Sequence, residues 1–152
     1  MGQGEGSMAA ILGLDDEQVR SACAQAAQGG VVEAVNFNAP GQVVIAGSVD
    51  AVERAIAACK EAGAKRAMAL PVSVPSHCAL MKPAAEQLAD TLNSTRFHAA
   101  EMPVINNVDV AMETDPEKIR DALIRQLYSP VRWVETIQAL KEQGVGHLYE
   151  CG

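Results

Sequence analysis

Val31-Val32-Glu33-Ala34-Val35-Asn36-Phe37-Asn38-Ala39-Pro40-Gly41-Gln42-Val43-Val44-Ile45-Ala46 holds two apolar, β-branched runs separated by a turn. Residues 31–37 and 42–46 read as strands, and Asn38-Ala39-Pro40-Gly41 supplies the turn chemistry between them. Helical patterns flank this hairpin on both sides. Upstream, residues 8–14 form a short apolar run that reads as a strand. Asp15 and Asp16 then cap a helix to about residue 28, ended by Gly29-Gly30. Downstream, Ala and Val recur at helical spacing over residues 51–62, Gly63 stops that helix, and residues 65–74 read as a fourth strand. The order β-α-β-β-α-β is the ferredoxin-like split pattern, expected over residues 8–74. Residues 1–7, Gly-rich and polar, read as a linker. Gly2-Gln3-Gly4-Glu5-Gly6 lacks the lysine and the preceding strand of a phosphate loop.

The character changes after Val74. Residues 79–92 read as a long amphipathic helix with Leu80, Ala84, Leu88 and Leu92 on one face and Pro83 near its start. Residues 104–110 read as a strand. Asp115-Pro116 opens a helix striped by Ile119, Leu123 and Leu127, and residues 133–143 continue as another up to Gly144. Residues 147–151 begin a last strand. This alternation suggests an open parallel α/β sheet over residues 75–152, with too few strands to be complete. The expected fold class is therefore α/β (α+β): a ferredoxin-like lobe joined to part of a larger α/β domain, the chain being a piece of a longer protein.

Composition narrows the function. With 49% apolar residues and few aromatics, the chain can bury a core of closely packed helices on a sheet. A net charge of −7 with no long basic run argues against nucleic acid as a partner. No apolar run approaches the ~20 residues of a membrane helix, and the start lacks the apolar segment of a signal peptide. Four cysteines without a Cys-x-x-Cys pair suggest a reduced, cytoplasmic protein. The three scattered histidines, His77, His98 and His147, make no metal set with them.

Pro71-Val72-Ser73-Val74-Pro75-Ser76-His77-Cys78-Ala79-Leu80-Met81 places His77 on a strand-to-helix turn. An imidazole projecting from such a turn suits a general base; the competing reading is a capping or packing histidine. Ser76 reads as a cap for the helix that follows. Neither Ser73, Ser76 nor Cys78 stands in a Gly-x-Ser-x-Gly elbow.

Three segments, taken in order, resemble the bacterial malonyl-CoA:acyl-carrier-protein transacylase family. They are Val35-Asn36-Phe37-Asn38-Ala39-Pro40-Gly41-Gln42-Val43-Val44-Ile45-Ala46-Gly47, the stretch around His77, and Arg125-Gln126-Leu127-Tyr128-Ser129-Pro130-Val131-Arg132-Trp133. The resemblance runs over essentially the whole chain. It implies an α/β-hydrolase-like acyltransferase domain with a ferredoxin-like insertion, and ping-pong transfer of malonyl from coenzyme A to the phosphopantetheine thiol of acyl carrier protein, in fatty acid biosynthesis. No cofactor is implied, malonyl-CoA being a substrate.

The resemblance makes His77 the catalytic histidine and gives Gln126 the position whose backbone carbonyl orients the second imidazole nitrogen. Gln126 otherwise reads as a polar helix-end residue. It also suggests that Asn36, Asn38 and Gln42 line the cleft and hold the pantetheine arm or acyl chain, against the alternative of local turn chemistry. Lys60, Lys65 and Arg66, with Lys82 beyond His77, offer a basic patch for an acidic carrier protein or, alternatively, a solvated helix end. The family's nucleophile elbow, oxyanion-hole glutamine and carboxylate-binding arginine have no counterpart here, so the chain alone is expected to be inactive. An uncovered sheet edge would favour self-association. The other functional class consistent with these residues is a non-catalytic ferredoxin-like carrier-protein-binding module.

Overall fold

In the computed structural model, which describes residues 6–151, β1 (Gly6–Leu12) lies inside a four-stranded sheet. Around it come α1 (Asp16–Ala27), β2 (Val32–Ala39), β3 (Gln42–Ser48), α2 (Val49–Glu61) and β4 (Arg66–Ala69). The strands run in the order β2-β3-β1-β4, every neighbouring pair antiparallel. The expected β-α-β-β-α-β succession is thus present, and the two helices cover one face of the sheet.

Local chemistry sets the first helix. Asp15 accepts from the Gln18 amide (2.8 Å) while the Gln18 side chain accepts from the Asp15 amide (3.0 Å), a reciprocal cap on two orphan donors. The helix ends where Gln28 turns left-handed, at φ 45°. Val19, Ala22, Cys23 and Ala26 recur at one-turn spacing, and Ala51, Val52, Ala55 and Cys59 do the same on α2. These small side chains let both helices settle closely over Ile11, Phe37, Val43 and Ile45.

Strand alternation gives the sheet a second apolar face, Met8, Val35, Val44 and Ala46, on which the fully buried Cys78 packs. The second half of the chain is also tied to the edge strand β2: Val131 donates to Val35 O (2.8 Å) and accepts from the Phe37 amide (3.0 Å). That half contains a 3₁₀ turn (Ala79–Met81), α3 (Lys82–Ser94), β5 (Val104–Ile105), β6 (Met112–Glu113), α4 (Pro116–Arg125) and α5 (Trp133–Glu142).

Several expectations for local structure are corrected. Residues 1–5 of the proposed linker lie outside the described residues, and Gly6 and Ser7 already belong to β1. The strand expected over 65–74 stops at Ala69; Leu70 donates once to Met8 O (2.8 Å), and Pro71 then has no N–H to continue the ladder. The helix expected from residue 79 starts as a 3₁₀ turn, and Pro83 sits in the first turn of α3, where its missing donor costs nothing. Ser76 makes no cap there. The strand over 104–110 is cut to two residues because Asn106 folds the chain back, its Oδ1 accepting from the Asp109 amide (2.8 Å) and its Nδ2 donating to Ala111 O (3.1 Å). Residues 147–151 form no strand, and the ladder of β5 with β6 is antiparallel; no parallel sheet forms among the described residues.

Gly47 marks the tightest approach in the sheet. A Cβ there would lie 1.9 Å from Val31 O, a backbone atom that also accepts from the Ser48 amide (2.8 Å). Gly47→Ala is therefore expected to cost about 3 kcal/mol, the upper part of the overpacking range, read as a lowered urea midpoint with unchanged slope.

Candidate active site

His77 is fixed from two directions. Its backbone amide donates to Leu127 O (3.1 Å), and its Nδ1 stands 2.7 Å from Gln126 O. A carbonyl only accepts, so Nδ1 carries a proton, and in the neutral ring the free lone pair is on Nε2. The residue sits at φ 64°, in the left-handed region that a non-glycine residue rarely adopts. Such strain persists where surrounding structure holds it. Here Pro75 packs against Gly6 and Cys78 is clamped under the sheet, its Sγ donating to Pro75 O (3.2 Å). Burial pushes the Cys78 thiol pKa up, which makes it a packing group rather than a nucleophile. Burial likewise raises Cys59 and, aided by the charges of Cys59 and Glu33, lifts Cys23 to about 12.

Gln126 caps the C-terminus of α4, where the last carbonyls lack intrahelical partners. Its oxygen is thus available to His77. The preceding residue anchors this end. Arg125 donates from Nε to Asp121 (2.7 Å) and from both terminal nitrogens to the two oxygens of Asp109 (2.9 and 2.6 Å). Arg132, beyond the same segment, donates to Val108 O (3.2 Å) and pairs with Glu135, while its amide reaches Asn107 O (3.3 Å). The fork of Arg125 holds the Asp109 carboxyl below its ordinary range, and Arg132 does the same to Glu135. The segment from Gln126 to Val131 therefore meets His77 on one side, β2 on another and the 106–110 loop on a third. A cavity of about 250 Å3 lies between α4 and the β5–β6 hairpin, with Asn106, Glu113 and Gln126 at its otherwise apolar wall.

The other sequence candidates are distributed unevenly. Asn36 lies on β2 at the bridge to Val131. Gln42 alternates with Val43 of the helix-side core, which puts it toward the sheet face that Cys78 covers, and Asn38 is exposed at the register shift between Phe37 and Ala39. Among the described residues, no side-chain hydrogen bond joins any of the three to His77. Lys60, Lys65 and Arg66 are exposed; Arg66 pairs with Leu12 at the same sheet end as Gln42, whereas the chain reaches His77 from the opposite end of β4. Lys82 lies 6.0 Å over the Tyr128 ring. The Asp109–Arg125 pair was not identified from sequence; sixteen residues separate the partners, and its only local trace is the Asn106-Asn107-Val108-Asp109 turn composition.

A histidine whose Nδ1 is held by a helix-end carbonyl is an arrangement suited to acyl transfer, and the family model of the acyl transferase domain matches residues 2–149. The chain belongs to this acyl transferase family. Within it, the chain is 63% identical over 150 residues to the malonyl CoA-acyl carrier protein transacylase of Escherichia coli K12, covering 99% of the chain and 48% of that protein, and 46% identical to the Bacillus subtilis transacylase, covering 98% and 47%. The structure superposes on an acyl carrier protein S-malonyltransferase from Vibrio cholerae with TM-score 0.92 and 69% identity, over 93% of this chain and 46% of that one. It matches equally, at TM-score 0.92 and 61% identity over 94% and 46% of the two chains, a malonyl-transacylase in complex with its type II PKS acyl-carrier protein. The chain spans about half the length of the curated relatives it matches.

The lowered Asp109 carboxyl has a definite pH signature. A depressed folded value contributes stability above the unfolded value of about 3.9 and loses it as pH falls through the folded value. Wild type is therefore expected to exceed Asp109→Asn slightly in urea midpoint above about pH 5, the small margin of a partly exposed pair, and to lose that margin as pH falls below the unfolded value. A gap independent of pH would show that the carboxylate charge is not what the pair uses.

Proposed function

We propose that this chain supplies the base of a malonyl-CoA:acyl-carrier-protein transacylase and the small lobe beside it, working in the cytoplasm without a cofactor. The observation that carries the reading is the 2.7 Å contact of His77 Nδ1 with Gln126 O, which leaves Nε2 as the proton acceptor. Residues 8–74, with their antiparallel order β2-β3-β1-β4, are assigned to the ferredoxin-like lobe, and residues 75–152 to part of the α/β-hydrolase-like lobe.

In this mechanism a serine outside these 152 residues loses its proton to His77 Nε2 as its oxygen attacks the malonyl thioester carbonyl. The tetrahedral intermediate collapses, the C–S bond breaks, and the coenzyme A thiolate takes the proton back. The pantetheine thiol of the carrier then gives its proton to Nε2, attacks the acyl-serine ester, and the departing serine oxygen is reprotonated. Gln126 orients the ring with a neutral acceptor in place of a carboxylate. Asn36, Asn38 and Gln42 offer amides to the amides of the arm. No Gly-x-Ser-x-Gly elbow occurs in the sequence, and Cys78 is buried, so on this reading the chain alone forms no acyl adduct. A mere binding module would have no use for an imidazole held in one tautomer.

The decisive test uses a chimera in which this chain replaces the matching half of the Escherichia coli transacylase. His77→Ala is expected to lower malonyl transfer by at least about a hundredfold, the scale for a positioned base; near-normal turnover would remove His77 from the mechanism.

The carrier reading rests on the exposed Lys60, Lys65 and Arg66 and on the carrier complex of the 61%-identical relative. Charge reversal at Lys65 and Arg66 in the same chimera is expected to slow transfer to carrier protein, leave acylation by malonyl-CoA unchanged, and flatten the salt dependence of the second half-reaction. Equal effects on both half-reactions, or none, would make the patch ordinary solvated surface.

A further inference from the structure

We propose that Asp109 and Arg125 are positioning residues for His77, acting through the carbonyl of Gln126. The inference rests on the transacylase reading of His77 and extends it to residues that touch neither substrate nor imidazole.

A helix C-terminus is a poor anchor by itself. Its last turn frays, and its terminal carbonyls lack intrahelical partners. Yet Gln126 O must stay within 2.7 Å of Nδ1 for the tautomer to be fixed. The residue immediately before it supplies the restraint. Three N–H groups of Arg125 are engaged at 2.6–2.9 Å, two of them in a parallel fork on Asp109. Fork geometry fixes orientation as well as distance.

The other end of the fork is itself held. The 106–110 loop is closed by the two side-chain bonds of Asn106 and by the Val110 amide on Asn106 O (3.1 Å), with Val110 at φ 55°. Arg132 grips the same loop from beyond the segment, at Val108 O and Asn107 O. The loop thus braces both ends of the segment whose Gln126 and Leu127 carbonyls hold His77. With side chains 31% and 40% exposed, the Arg125–Asp109 pair contributes little to global stability. Its geometry matters for where a carbonyl points. Arg120–Glu117, 2.5 Å apart in the first turn of the same helix, is an ion pair without that connection and serves as an internal control.

The test reads the imidazole directly in the 152-residue chain, by long-range proton–nitrogen correlation of the histidine rings, with His77 assigned by the signals lost in His77→Gln. Wild-type His77 is expected to be the Nδ1–H tautomer. Asp109→Ala and Arg125→Ala are each expected to lower the ratio of Nδ1–H to Nε2–H by about threefold or more, the lower part of what losing one net hydrogen bond gives. The double variant should shift no further than either single one, and Glu117→Gln should leave the ratio unchanged. Asp109→Asn, which keeps the shape and one acceptor, provides the same readout should the alanine variant fail to fold, and is expected to shift the ratio in the same direction. A wild-type His77 without the Nδ1–H bias overturns the transacylase reading and this inference with it. A wild-type bias that survives in folded Asp109 variants overturns this inference alone, as does an equal shift in Glu117→Gln, which would mark general loosening of α4.

Discussion

Everything distinctive in this structure depends on two carbonyls at one helix end. Gln126 O, 49 residues away in sequence, takes the ring of His77, and Leu127 O takes its amide. Neither bond contributes much by itself, since a net hydrogen bond is worth about 1 kcal/mol. Together they hold a histidine whose backbone sits at φ 64°, and they settle which ring nitrogen bears the proton. A carboxylate partner would add negative charge beside the ring. The carbonyl gives direction without that charge, so its placement matters more than its field.

That placement is secured by the packing of two unlike halves. The first half is a self-supporting layer: α1 and α2 bury one face of the sheet, and close packing there needs only small side chains and correct caps. The second face is finished by Cys78, immediately after His77, and the edge strand β2 is bonded by Val131, five residues after Gln126. The two chain segments that form the site are therefore both fastened to the same rigid sheet. Apolar side chains around this region remain uncovered, among them Val72, Val74, Leu80, Met102 and Val104.

The first half was legible because its signals are local. Asp15 and Gln18 cap each other three residues apart, the core residues of α1 and α2 recur once per turn, and a turn falls between the two apolar runs, at Pro40–Gly41 rather than over the expected 38–41 because Asn38 and Ala39 continue β2. The second half defeated the same reasoning where one side chain outcompeted a ladder. Pro71 ended β4 early, and Asn106 turned back a run that otherwise looks extended. A parallel sheet was inferred there from alternation alone, and alternation does not supply strand partners. The approach of His77 to Gln126 had no local signal; it was expected only from a family resemblance. The Asp109–Arg125 fork had none either, because an ion pair between distant residues leaves no period in the sequence.

The strain at His77 and the exposed fork at Asp109 belong to one physical problem. On the proposed reading His77 is a base that must hold one tautomer yet lie where substrate can reach it, so it cannot be fixed by burial. The half-buried ring shares this with Gln126 and Leu127, none of which lies in a core cluster. Packing holds Cys78 one residue away, and directional bonds carry that rigidity the remaining distance. Directional bonds at a surface compete with water, which is why a single carbonyl would be a weak support and why the segment behind it is tied at Arg125, Val131 and Arg132. The polar residues that do so gain little in stability, and their geometry, rather than their energy, is what the site uses.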